Sequence, residues 1–164
     1  MSKRSSLRDE IKQTRRFRSA SEEATLSIMR TATLVRREFT AVVERFDITP
    51  AQYNVLRILR GAGETGLPTL AVRDRLIEEA PGITRLLDKL ESAGLVRRER
   101  TTPDRRQVIC FIASKGLALI KRIDPRIVEA DQVGGAGLTP AERKQLIVLL
   151  EKVRGSMLDL PSPT

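Results

Sequence analysis

Between residues 84 and 106 the chain sets seven basic side chains (Arg85, Lys89, Arg97, Arg98, Arg100, Arg105 and Arg106) against four acids, a local excess of +3. Guanidinium and ammonium groups at this density are suited to holding phosphates through charge-assisted hydrogen bonds and counterion release. A second run, residues 1–18, carries seven cations and two acids, leaving only +1 of the total +9 for the remaining 123 residues. A field this localised suits a polyanion, either nucleic acid or an anionic membrane surface. Covalent chemistry has no comparable support. The chain has no His and one Cys, Cys110, which removes Cys/His zinc sites, a Ser-His-Asp triad and an internal disulfide. The segment Gly61–Gly66 has the glycine spacing of a phosphate loop, but Leu67 and Pro68 stand where Lys and Ser or Thr are needed, so it reads as a glycine-rich turn. No enzyme, metal or cofactor is expected.

These side chains need elements to carry them, and 164 residues, 40% hydrophobic and 31% charged, suffice for one ordinary core. No apolar stretch approaches the ~20 residues of a membrane span, and residues 1–18 are too charged for a signal-peptide core. A cytoplasmic protein away from the membrane is the expectation. Ser19 and Glu22 have the spacing of a capping box. Ile28, Ala32, Val35, Phe39, Val42 and Phe46 then form the apolar stripe of a long helix, which fits either the core or a second subunit. Thr49, Pro50 and Gln52 predict the next helix start, with Ile48 and Tyr53 at the staple positions and Gly61 at its end. A short helix bearing Leu70, Leu76 and Ile77 follows.

Pro81 marks another helix start, and Ile83, Leu86, Leu87 and Leu90 give that helix a buried face ended by Gly94. Its opposite face presents Gly82, Thr84, Arg85, Asp88 and Lys89, small and hydrogen-bonding groups of the kind a helix needs to enter a major groove. Residues 95–112 read as two extended segments joined by a polar turn around Pro103 and Asp104, a basic hairpin. Two short helices and a basic hairpin form a winged helix-turn-helix order. The fold class is mainly α with a small β-hairpin wing. Beyond it, Ser114 is the expected cap of a helix bearing Leu117, Ile120 and Ile123, which Pro125 should kink or restart with Asp124 as cap. Gly134–Gly137 breaks the chain before a box at Thr139, Pro140 and Glu142. The last helix carries Leu146, Leu149, Leu150, Val153 and Met157 on one face.

Three stretches resemble the MarR family of bacterial transcriptional regulators, over roughly residues 20–157: Ile48-Thr-Pro-Ala-Gln-Tyr-Asn-Val-Leu56, Thr84-Arg-Leu-Leu-Asp-Lys-Leu-Glu-Ser-Ala-Gly-Leu-Val96, and the wing signature Asp104-Arg-Arg-Gln-Val-Ile-Cys-Phe-Ile-Ala-Ser-Lys-Gly116. The resemblance implies a homodimer with interlocked terminal helices, binding a pseudo-palindromic double-stranded DNA site. It implies repression relieved by a small molecule or an oxidant. It implies that Thr84 and Arg85 meet the major groove and that Arg106 enters the minor groove, oriented by Asp104. Arg105, Lys89, Arg97 and Arg98 become phosphate contacts of lower rank. Two positions depart from the family: Ile112-Ala113 replaces a Leu-Thr ending of the wing, and Ala80-Pro81-Gly82 lacks the hydroxyls common at the recognition-helix start.

The organisation expected is therefore a flexible basic arm (1–18), a dimerisation helix (19–47), a winged helix-turn-helix domain (48–116), C-terminal dimerisation helices (117–158) and a disordered tail (159–164). Cys110, in an apolar strand with no second Cys, reads as packing. The alternative function is a winged-helix module for RNA or a protein partner, without palindromic preference.

Overall fold

Side-chain caps mark where three of the longer helices begin. The computed structural model describes residues 5–78, 82–100 and 107–159. In chain order its elements are α1 (Leu7–Glu10), α2 (Ala20–Glu44), α3 (Pro50–Ala62), a 3-10 turn (Gly63–Thr65), β1 (Leu67–Pro68), α4 (Thr69–Arg73), α5 (Ile83–Ser92), β2 (Val96–Arg100), β3 (Val108–Ile112), α6 (Ser114–Gly135) and α7 (Pro140–Leu158). Thr49 Oγ1 accepts from the Gln52 amide at 3.3 Å while Gln52 Oε1 accepts from the Thr49 amide at 2.8 Å. The same reciprocal box, built from Thr139 and Glu142, opens α7. At α2 only half of it forms. Ser19 Oγ accepts from the Glu22 amide, but the Glu22 carboxylate turns to the amide and guanidinium of Arg18.

The chain divides into two compact units, Met1–Ile123 and Asp124–Thr164. In the first, Val43, Tyr53, Leu56, Leu59, Val72, Leu87, Leu90, Cys110, Ile120 and Ile123 are buried. Each large aliphatic side chain among them stabilises the fold by about 1.5–3 kcal/mol through burial. The Phe39 and Tyr53 rings meet edge to face at 5.5 Å, which joins α2 to α3. Arg122 lies over Phe46 at 5.6 Å, covering the end of the predicted stripe. In the second unit α7 has no buried residue.

The sheet has the order β1-β3-β2, antiparallel throughout, with Leu67 opposite Cys110 and Val96 opposite Ile112. The hairpin strands are those expected; β1 is an addition. Gly66, at φ 61°, turns the chain into it, a conformation that favours glycine.

Several local expectations need correction. Helix α3 runs past Gly61 and is capped by Gly63, at φ 60°; a glycine inside a last turn costs only about 1 kcal/mol. Helix α4 stops at Arg73, so its buried residue is Val72, whereas Leu70 is exposed and Ile77 is 84% exposed. Helix α6 passes through Pro125 without restarting at Asp124. A proline in a helix interior costs about 3 kcal/mol; Ile123 and Ile127, four residues apart on either side of it and both buried, favour continuing the helix. Ser114 is the first residue of α6, not its cap; the Ala113 carbonyl accepts from the Leu117 amide at 3.0 Å. Within the basic arm (1–18), the described residues include the four-residue α1, opened by a Ser6 and Asp9 capping box. The Arg8 guanidinium donates to the carbonyls of Gln13 and Thr14 at 3.0 and 2.8 Å. Pro81, the turn around Pro103 and residues 160–164 lie outside the described residues.

Candidate nucleic-acid interface

Helix α5 is amphipathic in the sense the sequence requires. Ile83, Leu87 and Leu90 are buried, and Thr84, Arg85, Asp88 and Lys89 are exposed. Its first turn is preceded by Gly82 in the left-handed region, φ 95°, with no side-chain cap. The first amides of the helix therefore have no side-chain oxygen from the cap. At the other end Gly94, φ 71°, closes a Schellman motif: its amide donates to the Glu91 carbonyl at 2.8 Å and the Leu95 amide to the Leu90 carbonyl at 2.9 Å. Leu90 and Leu95 are both buried, the apolar contact that accompanies this motif. Lys115 Nζ donates to the Ala93 carbonyl at 2.8 Å, a cation at the negative end of the helix dipole. Strand β2 thus leaves α5 at a fixed angle.

Helices α3 and α4 hold α5 from behind. Asn54 Oδ1 accepts the Ile77 amide at 3.0 Å, which ties α3 to the segment leading into α5. Arg36 of α2 pairs with Glu78 at 3.0 Å. Neither contact was legible from spacing, because each joins residues far apart in sequence.

Among the basic residues predicted for the site, two environments appear. Arg85 and Lys89 are exposed and make no ion pair among the described residues. Arg97 and Arg98 are engaged within the protein. The Arg97 guanidinium lies 4.0 Å from the Phe111 ring centroid and pairs with Glu99. Arg98 donates from Nε and Nη2 to Glu91 Oε2 at 2.8 and 2.6 Å, and from Nη2 to Asp88 Oδ1 at 2.6 Å. The Glu91 hydrogen bond holds the Arg98 pKa above its ordinary value, with burial acting against it and Asp88 adding to it. Asp104, Arg105 and Arg106 lie outside the described residues.

Cys110 is buried on the middle strand, its Sγ 3.6 Å from Thr69 Oγ1. Burial pushes its thiol pKa up, opposed in part by the Thr69 hydroxyl and the Arg98 charge. A thiol held neutral and covered is a poor nucleophile.

Residues 48–108 match the sequence profile of the MarR family. The crystal structure of a MarR transcription factor from Planctomyces limnophilus superposes with a TM-score of 0.66 at 35% identity, covering 83% of this chain and 98% of that one. The chain belongs to the MarR family. Among other relatives, the HTH-type transcriptional regulator TtmR of Methylorubrum extorquens is 34% identical over 122 residues, 74% of this chain and 60% of TtmR. A mutant E. coli MarR complexed with operator DNA is similar at 28% identity, with a TM-score of 0.70 over 77% of this chain and 89% of that one. The MarR assignment makes α3, α4 and α5 the helical part of a winged helix-turn-helix, with β2 and β3 as its wing. No helix among the described residues is long and apolar enough to cross a membrane.

Proposed function

We propose that this chain is a homodimeric transcriptional regulator that binds a pseudo-palindromic double-stranded DNA operator in the cytoplasm and represses there. The observation that carries the reading is the outer face of α5, where Thr84, Arg85 and Lys89 are exposed while Ile83, Leu87 and Leu90 anchor the helix. An anchored helix with exposed hydrogen-bonding cations beside a basic hairpin suits a major groove and its flanking phosphates. Arg85 and Thr84 are assigned to the groove, Lys89 and Arg105 to phosphates, and Arg106, oriented by Asp104, to the minor groove.

Dimerisation is supported by apolar side chains that one copy leaves uncovered. Ile28, Met29 and Val35 on α2 and Leu146, Ile147, Leu149, Val153 and Met157 on α7 are all exposed. So much apolar surface on two helices calls for a partner surface. Residues 19–47 and 117–158 are accordingly assigned to the dimer, and 48–116 to DNA. A small-molecule effector that releases DNA completes the proposal, which is of a binding protein without catalytic work of its own.

The test is selection of bound duplexes from a random library at about 150 mM salt, where non-specific phosphate binding is suppressed. Enrichment of an inverted repeat with half-sites about one helical turn apart is the expected outcome. Enrichment of no duplex sequence, with retention of single-stranded or structured RNA under the same conditions, overturns it.

A further inference from the structure

Strand β2 carries two arginines in succession, and the strand period of two sends them to opposite faces of the sheet. On one face Arg97 is stacked over Phe111 and paired with Glu99. On the other, Arg98 reaches back across the Gly94 turn to α5. Its backbone amide donates to Glu91 Oε1 at 3.1 Å, its Nε and Nη2 to Glu91 Oε2, and its Nη2 also to Asp88. Four hydrogen bonds thus join one strand residue to two carboxylates three residues apart on α5. The Arg98 side chain is 21% exposed, so little of its guanidinium is left for an incoming phosphate.

Asp88 gives the network a second consequence. It stands on the same exposed face as Thr84, Arg85 and Lys89, and without a cation it would present a bare carboxylate to a phosphate backbone. We infer that Arg98 is a positioning residue: it locks α5 to the first strand of the wing through Glu91 and Asp88, and compensates the Asp88 charge on the α5 face. This rests on the reading that the α5 face meets DNA. It also reassigns Arg98 from phosphate contact to internal clamp.

The experiment compares the full chain with Arg98→Gln and Arg98→Lys, measuring affinity for the selected duplex and for random duplex between about 50 and 200 mM salt. Backbone amide exchange of residues 83–100 is followed in the same proteins without DNA. A positioning role predicts that Arg98→Gln lowers the ratio of selected to random affinity about tenfold, with the salt slope unchanged. Arg98→Lys keeps the charge but not the forked geometry, so it recovers only part of that ratio. A uniform loss on both duplexes, with the slope shallower by about 0.9 and restored by Lys, would make Arg98 a phosphate contact and overturn the inference. An unchanged ratio in the folded Gln variant overturns it as well. Failure of the wild-type chain to select any duplex sinks the DNA reading separately. The clamp is then judged by amide exchange alone, which should quicken about tenfold or more at β2 and α5 in Arg98→Gln if the lock is real; exchange equal to wild type rejects it.

Discussion

Gly66 lies against Phe111 so closely that a Cβ on it would stand 2.6 Å from the ring Cε1, and 2.7 Å from the Cys110 carbonyl oxygen. Because Gly66 is also at φ 61°, an alanine there meets backbone strain and overlap together. Gly66→Ala should lose about 3 kcal/mol, combining the strain of a backbone region nearly reserved for glycine, about 1–3 kcal/mol, with the cost of overpacking. The midpoint of urea unfolding followed by circular dichroism measures it. A variant as stable as wild type would mean that β1 does not pair with β3 as described.

Cys110 should be silent toward a thiol reagent until the chain unfolds. Its folded pKa is raised by burial, so its stabilising contribution is complete below the unfolded value of about 8.5 and is lost as pH rises beyond it toward the folded value. Thermal stability should therefore fall at alkaline pH, and less so in Cys110→Ala. Cys110→Ser should cost about 1–3 kcal/mol by burying a hydroxyl in an apolar strand. Rapid labelling of the native protein would contradict the packing role.

Arg85→Ala should weaken binding to the selected duplex by about 1–3 kcal/mol and relax the preference at one position of each half-site. Arg106→Ala should cost a similar amount, about 1–3 kcal/mol, and leave the dimer intact. Titrations against single-base variants of the duplex distinguish the two. Wild-type affinity in either variant removes that residue from the interface.

Leu149→Glu combined with Val153→Glu should convert the protein to a monomer. Both side chains are exposed in one copy, at 50% and 38%, so charges there are tolerated by an isolated chain but not by an apolar interface. Sedimentation velocity reports the mass; an undiminished dimer would move the interface away from α7.

The basic arm offers fewer free cations than its sequence suggests. Arg8 is occupied by the Gln13 and Thr14 carbonyls, and Arg18 by Glu22. Replacing Lys12, Arg15 and Arg16 together by Ala should flatten the salt dependence of DNA binding by no more than about 3 in slope, at ~0.9 per contact. Site preference should persist, since phosphates carry no sequence. A change in the selected motif would show that the arm reads bases.

Most elements of the fold were legible because they rest on local patterns. Thr49, Pro50 and Gln52 specify a helix start within four residues, and the spacing of Ile83, Leu87 and Leu90 specifies a buried face. What spacing alone could not disclose depends on partners distant along the chain. The two residues of β1 are strand only because β3 accepts them, and Val72 is buried, rather than Leu70, because of how α4 is docked. The site divides in the same way. Exposure of Arg85 and Lys89 follows from helical periodicity, whereas the capture of Arg98 by Glu91 needed the turn at Gly94 to be built before it could be seen. Strand alternation, which separates Arg97 from Arg98, was the one available hint.

The three-stranded sheet has two outer strands, β1 and β2, and each is unsuited to recruiting another copy. Pro68 sits on β1 and has no amide to offer a newcomer. Along β2, Arg97, Arg98, Glu99 and Arg100 present charge at consecutive positions, which discourages edge-to-edge pairing. Charge along one edge and a proline on the other thus guard the sheet against a further strand, so the protein is protected from self-association through it.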